Sequence, residues 1–421
     1  MVNHYPKDWR IVLLSELSIE GFQNGLFYEV ARKNKGIPII NVGDLYKSSP
    51  IANDKLELFN ATAEEIKRYQ VFNGDLFFTR SSIVPSGIAF CNWYRCSEKK
   101  AVVFDSHVVR FKTNTDVVNP MYLYLACIRP DARKYFLANA KTATMTTIDQ
   151  TVLGRCPIPY PALKEQTAIA EAVSDADNLI FSLQKLIEKK KAIKQGTMQK
   201  LLTGKKRLPG FNEEWEELNF AESAKLKARI GWQGLTTSEY LQSGYAYLIT
   251  GTDFHNGRIK WETCHFVDEK RYKQDLNIQI KKHDILLTKD GTIGKVAYIS
   301  NVQKPTTLNS GVFVIRPAKE DSFDPNFVYH ILNSFLFDNF LAKLSAGSTI
   351  NHLYQKDFVD FTFKAPSELV EQQAIAQVLS DMDSEIDQLE KKLAKYQQIK
   401  QGMMQELLTG RIRLKKGENN A

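Results

Sequence analysis

The sequence lacks any apolar run that could cross a membrane, because no window approaches the roughly 18 uncharged residues that a transmembrane helix needs. Its beginning, MVNHYPKDWR, lacks the apolar centre of a signal peptide. Cysteine is scarce, and the spacing of the five residues fits no zinc motif, which predicts free thiols at Cys91, Cys96, Cys127, Cys156 and Cys264. We therefore expect a cytoplasmic protein with no membrane partner, no metal site and no disulfide framework.

Motifs for nucleotide or metal chemistry are missing too. The sequence contains no G-x-x-x-x-G-K-[ST] phosphate loop, no G-x-G-x-x-G and no H-E-x-x-H. The stretch GTIGK at residues 291–295 has two glycines and a lysine, but at the wrong spacing for a phosphate loop. The seven histidines are scattered along the chain. We therefore predict no catalytic residue and no cofactor bound by this chain.

One near miss to an enzyme motif stands at residues 119–122, which read NPMY. This differs by one residue from the NPPY motif with which amino-methyltransferases hold a flipped adenine. The corresponding stretch DPNF at residues 324–327 departs further, and no glycine-rich S-adenosylmethionine loop precedes either one. Asn119 and Asp324 are favourable helix N-caps, and a following proline suits the first helical position. We interpret both stretches as helix starts; a fused methyltransferase is the alternative.

Two stretches of the chain repeat each other. Residues 165–204 align without a gap with residues 371–410, and 22 of the 40 positions are identical. The regions before the two copies are only weakly similar: Trp9 and Trp215 lie at the same offset of 206, and residues 74–80 resemble residues 283–289. The order is therefore variable block, repeated block, variable block, repeated block. This pattern indicates one role performed twice beside two related but different roles.

The apolar residues of each repeated block recur in steps of four and three, which is a heptad pattern. Each block is predicted to form one helix of about 36 residues, about 54 Å long, that ends at Gly204 or Gly410 in a left-handed cap. Since both apolar stripes need burial, we expect the helices to pair, and the internal repeat favours an antiparallel, pseudo-two-fold arrangement. Packing of each helix on its own domain is the alternative. The predicted pairing residues are Ile169, Val173, Ile180, Leu183, Ile187, Ile375, Leu379, Ile386, Leu389 and Leu393.

Gly196 and Gly402 lie inside these helices, where glycine costs about 1 kcal/mol relative to alanine. We predict that another backbone approaches closely at both glycines.

The variable blocks have the pattern of mixed α/β domains. Short apolar runs predict strands at residues 37–42, 75–78, 102–104, 246–249, 284–287 and 312–315. Helical stretches follow near residues 122–127 and 327–341. The predicted domains are 1–160, 161–208, 209–366 and 367–421, of which the second and fourth are the repeated helices.

Each variable block has one polar loop after a strand and a second polar stretch near its end. Such segments offer backbone N–H, hydroxyl, amide and cationic groups, which contact phosphates and base edges. The net charge of +8 suits a polyanionic partner, although residues 1–160 and 161–208 each carry +5 and the two later domains −1 each. The candidate DNA-binding residues are Arg80, Ser81, Ser82, Lys141, Thr142, Thr144, Lys289, Asp290, Thr292, Lys295, Ser348, Thr349, Asn351 and His352.

These features together resemble the specificity (S) subunit of type I restriction–modification systems. The resemblance is carried by the EQ-x-A-I-A helix starts at residues 165 and 371, the two K-Q-G-x-M-Q-x-L-L-T-G helix ends, the tryptophans that open each block, and the alternation of variable and repeated regions. It covers essentially the whole chain. Only the repeated blocks are specific to the family.

The resemblance implies two target-recognition domains joined by two long helices in an antiparallel coiled coil. Each domain would read one half of a bipartite, asymmetric double-stranded DNA target. The helices would set the spacing and dock two adenine methyltransferase subunits, and two restriction subunits would join them. The chain itself would be non-catalytic, with S-adenosylmethionine, ATP and Mg²⁺ on the partner subunits. A coiled-coil scaffold whose α/β domains bind proteins is the alternative.

Overall fold

The computed structural model describes residues 5–47, 49–51, 55–96, 100–231, 234–345 and 352–414. The chain divides into two units, one formed by Met1–Gln184 with Lys392–Ala421 and the other by Lys185–Lys391, called unit 1 and unit 2 below. Both divisions fall inside a repeated helix. Each unit therefore holds one variable block, the first part of one helix and the last part of the other. The domain boundaries expected from sequence stay predictions.

Unit 1 is built from short strands joined by loops and small helices. Its strands are β1 (Arg10–Leu13), β2 (Ser18–Asn24), β3 (Lys33–Ile40), β4 (Glu57–Phe59), β5 (Leu76–Thr79), β6 (Ser81–Ser82), β7 (Cys91–Trp93), β8 (Val103–Phe104), β9 (Val108–Thr113), β10 (Lys141–Thr142), β11 (Thr146–Thr147) and β12 (Pro157–Tyr160). Its helices are α1 (Val42–Leu45), α2 (Ala63–Tyr69), α3 (Pro120–Cys127), α4 (Pro130–Asn139), α5 (Gln150–Gly154) and the first part of α6 (Leu163–Leu201).

A four-stranded antiparallel sheet forms the centre of unit 1, in the order β2-β9-β5-β7. A second sheet has the order β4-β3-β8, and two small sheets are formed by β1-β12 and by β10-β11-β6. One face of the central sheet buries Leu76, Phe78 and Phe111 against α3, α4 and the start of α6. The alternate residue Phe77 packs on the opposite side with Phe104, as expected for a strand covered on both faces.

Unit 2 repeats this plan. Its strands are β13 (Trp215–Asn219), β14 (Ala224–Lys227), β15 (Ala246–Ile249), β16 (Phe254–His255), β17 (Arg258–Ile259), β18 (His265–Val267), β19 (Ile285–Thr288), β20 (Val296–Tyr298), β21 (Thr306–Leu308), β22 (Val312–Pro317) and β23 (Thr362–Pro366). Its helices are α7 (Phe220–Ser223), α8 (Glu269–Lys273), α9 (Pro325–Leu332), α10 (Phe335–Leu344) and the first part of α11 (Leu369–Leu407).

The central and second sheets of the two units correspond strand by strand. The central sheet of unit 2 has the order β14-β22-β19-β20. In its second sheet, β18-β15-β21, the middle strand has one antiparallel and one parallel neighbour, as the middle strand β3 has in unit 1. The predictions of six strands are confirmed, because β3, β5, β8, β15, β19 and β22 lie at or overlap the predicted segments. The first predicted helical stretch corresponds to α3, which α4 follows, and the second overlaps both α9 and α10.

The NPMY and DPNF stretches are helix starts. The Asn119 side chain accepts a hydrogen bond from the Tyr122 N–H at 3.1 Å, and the Asp324 side chain accepts one from the Phe327 N–H at 2.8 Å. Pro120 and Pro325 are the first residues of α3 and α9. The prediction of capped helices is therefore confirmed, and Asn119 serves the backbone of its own helix.

The repeated helices pair antiparallel within each unit. In unit 1, Asp177 of α6 forms an ion pair with Lys400 of α11. In unit 2, Lys194 of α6 forms an ion pair with Asp383 of α11. These two pairs occupy equivalent positions, since each residue differs by 206 from its counterpart. The predicted pairing residues are buried or half-buried, so the coiled-coil prediction is confirmed. Each helix has 39 residues, slightly more than predicted.

The glycines of the repeated peptide behave in two ways. Gly204 and Gly410, just after the helices, have φ of +67° and +69°, as the left-handed cap requires. A Cβ at Gly196 or at Gly402 would meet no atom within 4 Å. The prediction of close backbone approach is wrong for this chain, because both glycines face open space on the helix surface; approach by the backbone of a partner subunit stays a prediction.

A buried histidine makes the stability of unit 2 depend on pH. His330 on α9 has its Nε2 3.1 Å from the Ser380 hydroxyl, and burial, assisted by the charge of Lys194, lowers its pKa to about 3. Unfolding restores an ordinary pKa of about 6.5. Between these values the unfolded chain binds a proton that the native chain does not, so stability is lost as the pH falls below 6.5. From pH 7 to 5 we expect a loss of about 2 kcal/mol in the free energy of unfolding.

The matched variant for this prediction is His330→Leu, because Leu125 occupies the corresponding position in unit 1. Urea denaturation of both proteins at pH 7, 6 and 5 measures the effect. The histidine contribution should disappear in the variant, whose free energy of unfolding should fall less steeply with acidification. Equal slopes for the two proteins would contradict the assignment to His330.

Candidate nucleic-acid interface

One edge of the central sheet of unit 1 collects the loops that carry the candidate residues. Strands β2 and β5 end at this edge, and β7 and β9 begin there, because Asn24 pairs with Val109 and Thr79 with Val108. The loops after β2, after β5 and before β9 therefore lie side by side. The antiparallel topology, rather than proximity in sequence, brings these segments together.

The two polar segments predicted in unit 1 are in direct contact at this edge. Strand β11 pairs with β10 on one side and with β6 on the other. This places Ser81 and Ser82 beside Thr147 and Thr146, and Lys141 and Thr142 on the outer strand. The hydroxyl oxygens of Thr142 and Thr146 lie 3.2 Å apart. A small ribbon rich in hydroxyl groups thus protrudes at the sheet edge.

Cationic groups flank this ribbon. Arg80 is exposed, its backbone N–H donates to the His107 carbonyl, and its carbonyl accepts from the Ile148 N–H. Within the described residues, no hydrogen bond or ion pair engages its guanidinium. Lys141 is exposed and lies 3.9 Å from an Asp149 oxygen, and Thr144 is exposed at the hairpin tip. Hydrogen-bond donors are thus presented to solvent on a fixed backbone.

The same edge exists in unit 2, with different side chains. Strand β14 ends there at Lys227 and β19 at Thr288, while β22 begins at Val312. The Lys289 N–H donates to the Gly311 carbonyl, and the Leu353 N–H donates to the Lys289 carbonyl. Asp290 and His352 form a β-bridge. The loop after β19 and the start of the segment after residue 351 are therefore neighbours, as in unit 1.

Three side chains form a polar network at this edge of unit 2. His352 Nδ1 is hydrogen-bonded to the Asp290 carboxylate, and its Nε2 lies 3.3 Å from Lys289 Nζ. A proton on Nδ1 leaves Nε2 as an acceptor for the lysine ammonium. Lys289 also lies over the Phe313 ring, at 5.3 Å from its centroid. The network holds Lys289 and Asp290 in a defined position beside exposed Thr292 and half-buried Lys295.

A threonine at the end of the strand positions the loop in both units. Thr79 donates its hydroxyl to the Gly87 carbonyl at 2.5 Å and accepts from the Phe90 N–H at 2.9 Å. Thr288 donates to the Thr292 carbonyl at 2.6 Å and accepts from the Lys295 N–H at 2.9 Å. Equivalent threonines thus close loops of different length and sequence.

Sequence reasoning identified part of this edge. The structure brings together Arg80, Ser81, Ser82, Lys141, Thr142 and Thr144 in unit 1, and Lys289, Asp290, Thr292, Lys295 and His352 in unit 2. Ser348, Thr349 and Asn351 lie outside the described residues. Exposed residues of the edge that the sequence analysis missed are Phe27, Ile83, Val84, His107 and Ile230. Their signal is positional, since each lies in a loop that begins or ends a strand at this edge.

A second set of duplicated contacts stands at the start of each repeated helix. In unit 2, Arg207 donates to both oxygens of Glu371 at 2.6 and 2.7 Å, and Trp215 Nε1 donates to Glu371 at 3.4 Å. In unit 1, Arg413 donates twice to Glu165, at 2.8 and 2.7 Å, and Trp9 Nε1 donates to it at 3.2 Å.

The glutamine after each of these glutamates is also bonded in the same way. Gln166 accepts from the Asn119 N–H and donates to the Pro161 carbonyl. Gln372 accepts from the Asp324 N–H and donates to the Pro366 carbonyl. The repeated Glu-Gln dipeptide therefore ties each helix start to the adjoining block, which explains why both residues occur in both copies.

Within the described part of the chain, no helix is long and apolar enough to span a membrane, and no group of three or more His, Cys, Asp or Glu could hold a metal ion. No disulfide joins any of the five cysteines, all of which lie among the described residues.

Comparison with known proteins agrees with this architecture. The family described as "Type I restriction modification DNA specificity domain" matches residues 6–195 and again residues 212–401. The chain is 26% identical over 332 residues to the specificity subunit of the type I restriction enzyme MjaVIII of Methanocaldococcus jannaschii, covering 75% of this chain and 76% of the relative. It is 26% identical over 426 residues to the putative MjaX specificity subunit of the same organism, covering 98% and 96%.

A solved structure shares the fold. The crystal structure of the type I restriction–modification S subunit from M. genitalium aligns with a TM-score of 0.61 at 16% sequence identity, covering 96% of both chains. Specificity subunits are the non-catalytic components of these systems, so the predictions of the family and of a non-enzymatic role are confirmed. The chain belongs to the family of type I restriction–modification DNA specificity domains, of which it contains two.

Proposed function

We propose that each unit reads one half of a bipartite, asymmetric double-stranded DNA sequence through the edge of its central sheet. The observation that carries this proposal is that both units bring the same two polar segments to the same sheet edge, but with different side chains. Arg80 and hydroxyl groups occupy the edge in unit 1, and the Lys289–His352–Asp290 network occupies it in unit 2. Arginine and lysine suit guanine, and carboxylates accept from cytosine. Different half-sites therefore follow from different edges.

The repeated helices are proposed to set the distance between the half-sites. A helix of 39 residues spans about 58 Å at 1.5 Å per residue. One turn of duplex DNA is about 34–36 Å, so the helices correspond to roughly 1.6 to 1.7 turns. Lengthening both helices by one heptad is the direct way to change the spacer.

The helices also offer two similar surfaces for partner subunits. In unit 2, a groove of about 410 Å³ opens over Gly196 and is lined also by Ile193, Leu208 and Val378. The positions 206 residues later place exposed Ile399, Ile412 and Leu414 near Gly402 in unit 1. We propose that one adenine methyltransferase subunit docks on each surface and that two restriction subunits join this complex. S-adenosylmethionine, ATP and Mg²⁺ would then bind to those partner subunits, in the cytoplasm.

Filling the space over both glycines tests this docking. Gly196→Leu with Gly402→Leu should leave helix pairing intact, because each glycine faces open space, and should stabilise the isolated chain, because leucine favours helix over glycine. Methyltransferase binding should weaken at least about tenfold, since the bulky side chains occupy the contact surface. Size-exclusion chromatography checks that the fold is intact, and calorimetric titration measures methyltransferase binding. The alanine pair is the control, with raised helix stability and near-normal docking.

Binding measurements across ionic strength test the DNA-reading role itself. The complex with the methyltransferase subunits should bind one sequence at least a thousandfold more tightly than unrelated duplex, and its affinity should fall steeply with added salt. Sequencing of methylated adenines in a strain that carries the complex identifies that sequence. A complex that does not discriminate between sequences, or DNA binding insensitive to salt, would instead support the scaffold alternative.

A further inference from the structure

Two adjacent β-branched residues stand in solvent at the interface edge of unit 1. Ile83 is 82% exposed and Val84 is 60% exposed. They form the tip of the loop after β6, directly beside the hydroxyl-rich ribbon of β10, β11 and β6. A soluble domain gains nothing by exposing two neighbouring apolar side chains unless a partner covers them.

This tip is held rigidly. Arg133 of α4 donates to the Ser86, Ile88 and Ala89 carbonyls at 2.9, 2.8 and 2.6 Å. The Val84 carbonyl accepts from the Ser82 hydroxyl at 2.7 Å and from the Gly87 N–H at 2.9 Å. These hydrogen bonds constrain the backbone of the loop that carries Ile83 and Val84. Exposure of the two side chains is thus a property of a fixed structure.

Gly87 packs closely against two side-chain hydroxyls, which a larger residue would have to displace. A Cβ there would lie 2.5 Å from the Ser82 hydroxyl and 2.8 Å from the Tyr46 hydroxyl, which donates to the Gly87 carbonyl at 2.9 Å. The backbone behind the tip therefore packs closely against Ser82 and Tyr46.

The equivalent loop of unit 2 lacks such a tip. It runs through Lys289, Asp290, Gly291 and Thr292, and its one apolar residue, Ile293, is half-buried against the core of unit 2. The two edges therefore differ in chemistry as well as in sequence. In these equivalent loops, unit 1 presents apolar groups beside hydroxyls, whereas unit 2 presents charged groups.

We propose that Ile83 and Val84 contact thymine methyl groups in the major groove of the half-site read by unit 1. This inference rests on the proposed DNA-reading function. The C5 methyl of thymine is the apolar group that duplex DNA presents in the major groove, and apolar side chains recognise it by contact. The tip stands beside the three-stranded ribbon of β10, β11 and β6, whose β10–β11 hairpin is a two-stranded element of the kind that the major groove admits. The equivalent loop of unit 2 lacks this tip, so thymine methyls should contribute less to the half-site that unit 2 reads.

Replacing thymine by uracil removes the methyl group and keeps the base pair. In the complex with the methyltransferase subunits, each contacted thymine changed to uracil in the unit 1 half-site should weaken binding about fourfold. Uracil in the other half-site should change affinity by less than about twofold. The variant Ile83→Ser with Val84→Ser should bind thymine DNA as weakly as the native complex binds uracil DNA, and should show no further loss with uracil.

Ile19→Ser is the matched control. Ile19 is also a strongly exposed isoleucine, but it lies on β2 near the opposite edge of the same sheet, beside the end of β9. This variant should retain the full response to uracil. Equal uracil losses in the native complex and the Ile83/Val84 variant, or no loss at any thymine, would overturn the inference while leaving sequence-specific binding intact. Absence of sequence-specific binding by the native complex would overturn the proposed function and the inference with it.

Discussion

Replacing Glu371 with alanine is expected to lower the free energy of unfolding of unit 2 by about 3 kcal/mol. The Glu371 side chain is only 2% exposed and receives two hydrogen bonds from the Arg207 guanidinium, which is itself 27% exposed. Removing the carboxylate, which is itself buried, leaves a half-buried guanidinium and the Trp215 indole N–H without their acceptor. Removing one partner costs more free energy than forming the ion pair gains, because the groups left behind stay partly desolvated without a hydrogen-bond acceptor.

Glu165→Ala is the matched comparison, because Glu165 occupies the equivalent position in unit 1. Its side chain is 14% exposed and its partner Arg413 is 44% exposed, so water replaces the lost contacts more readily. We expect a loss of about 1 kcal/mol for this variant. Urea denaturation followed by circular dichroism measures both effects. Equal losses for the two variants would show that burial does not control the strength of this contact.

Replacing Lys289 with alanine is expected to weaken specific DNA binding by about 10- to 100-fold. The same range is expected for Arg80→Ala. Arg80 directly follows β5 and Lys289 directly follows β19 at the interface edge of each central sheet. Lys289 is held there by His352 and Phe313. A cation that contacts a base edge supplies discrimination at one base pair, so each variant should relax recognition in its own half-site and leave the other unchanged.

The pattern of loss separates base contacts from phosphate contacts. Loss of a phosphate contact weakens binding to all sequences alike. It also reduces the slope of the logarithm of the binding constant against the logarithm of the salt concentration by about one. Competition titrations against single-base variants of the target, repeated at several salt concentrations, measure both properties. Lys282→Ala is the control, because this exposed lysine precedes β19 and so lies at the opposite sheet edge. Uniform weakening by Lys289→Ala would assign that residue to the DNA backbone.

The repeated helices were largely predictable from sequence. The heptad pattern depends on spacing within one helix, and burial of an apolar stripe requires a partner. The strands β5 and β19 were predictable for a similar reason, since short apolar runs bounded by polar residues are local signals. The open surface at Gly196 and Gly402 was not predictable, because the sequence of a helix does not distinguish an exposed glycine from a closely packed one.

The candidate interface was only partly predictable. Polar loops after strands were visible as composition, which indicated Arg80 and Lys289. The contact between β6 and β11 joins residues more than sixty positions apart, and no local pattern encodes that pairing. The exposure of Ile83 is hidden for the opposite reason. Isoleucine is usually buried, and only the folded loop, with its hydrogen bonds from Arg133, shows that Ile83 is exposed to solvent.

The sequence by itself determined the duplicated plan, the two long helices, their apolar stripes and the membership of the chain in its family. These properties depend on local spacing and on similarity between copies. Tertiary structure decided which loops meet at each sheet edge, which glutamate is desolvated and which glycines face open space. Those properties depend on strand order and on the groups packed around each side chain, which come together only when distant parts of the chain fold against one another.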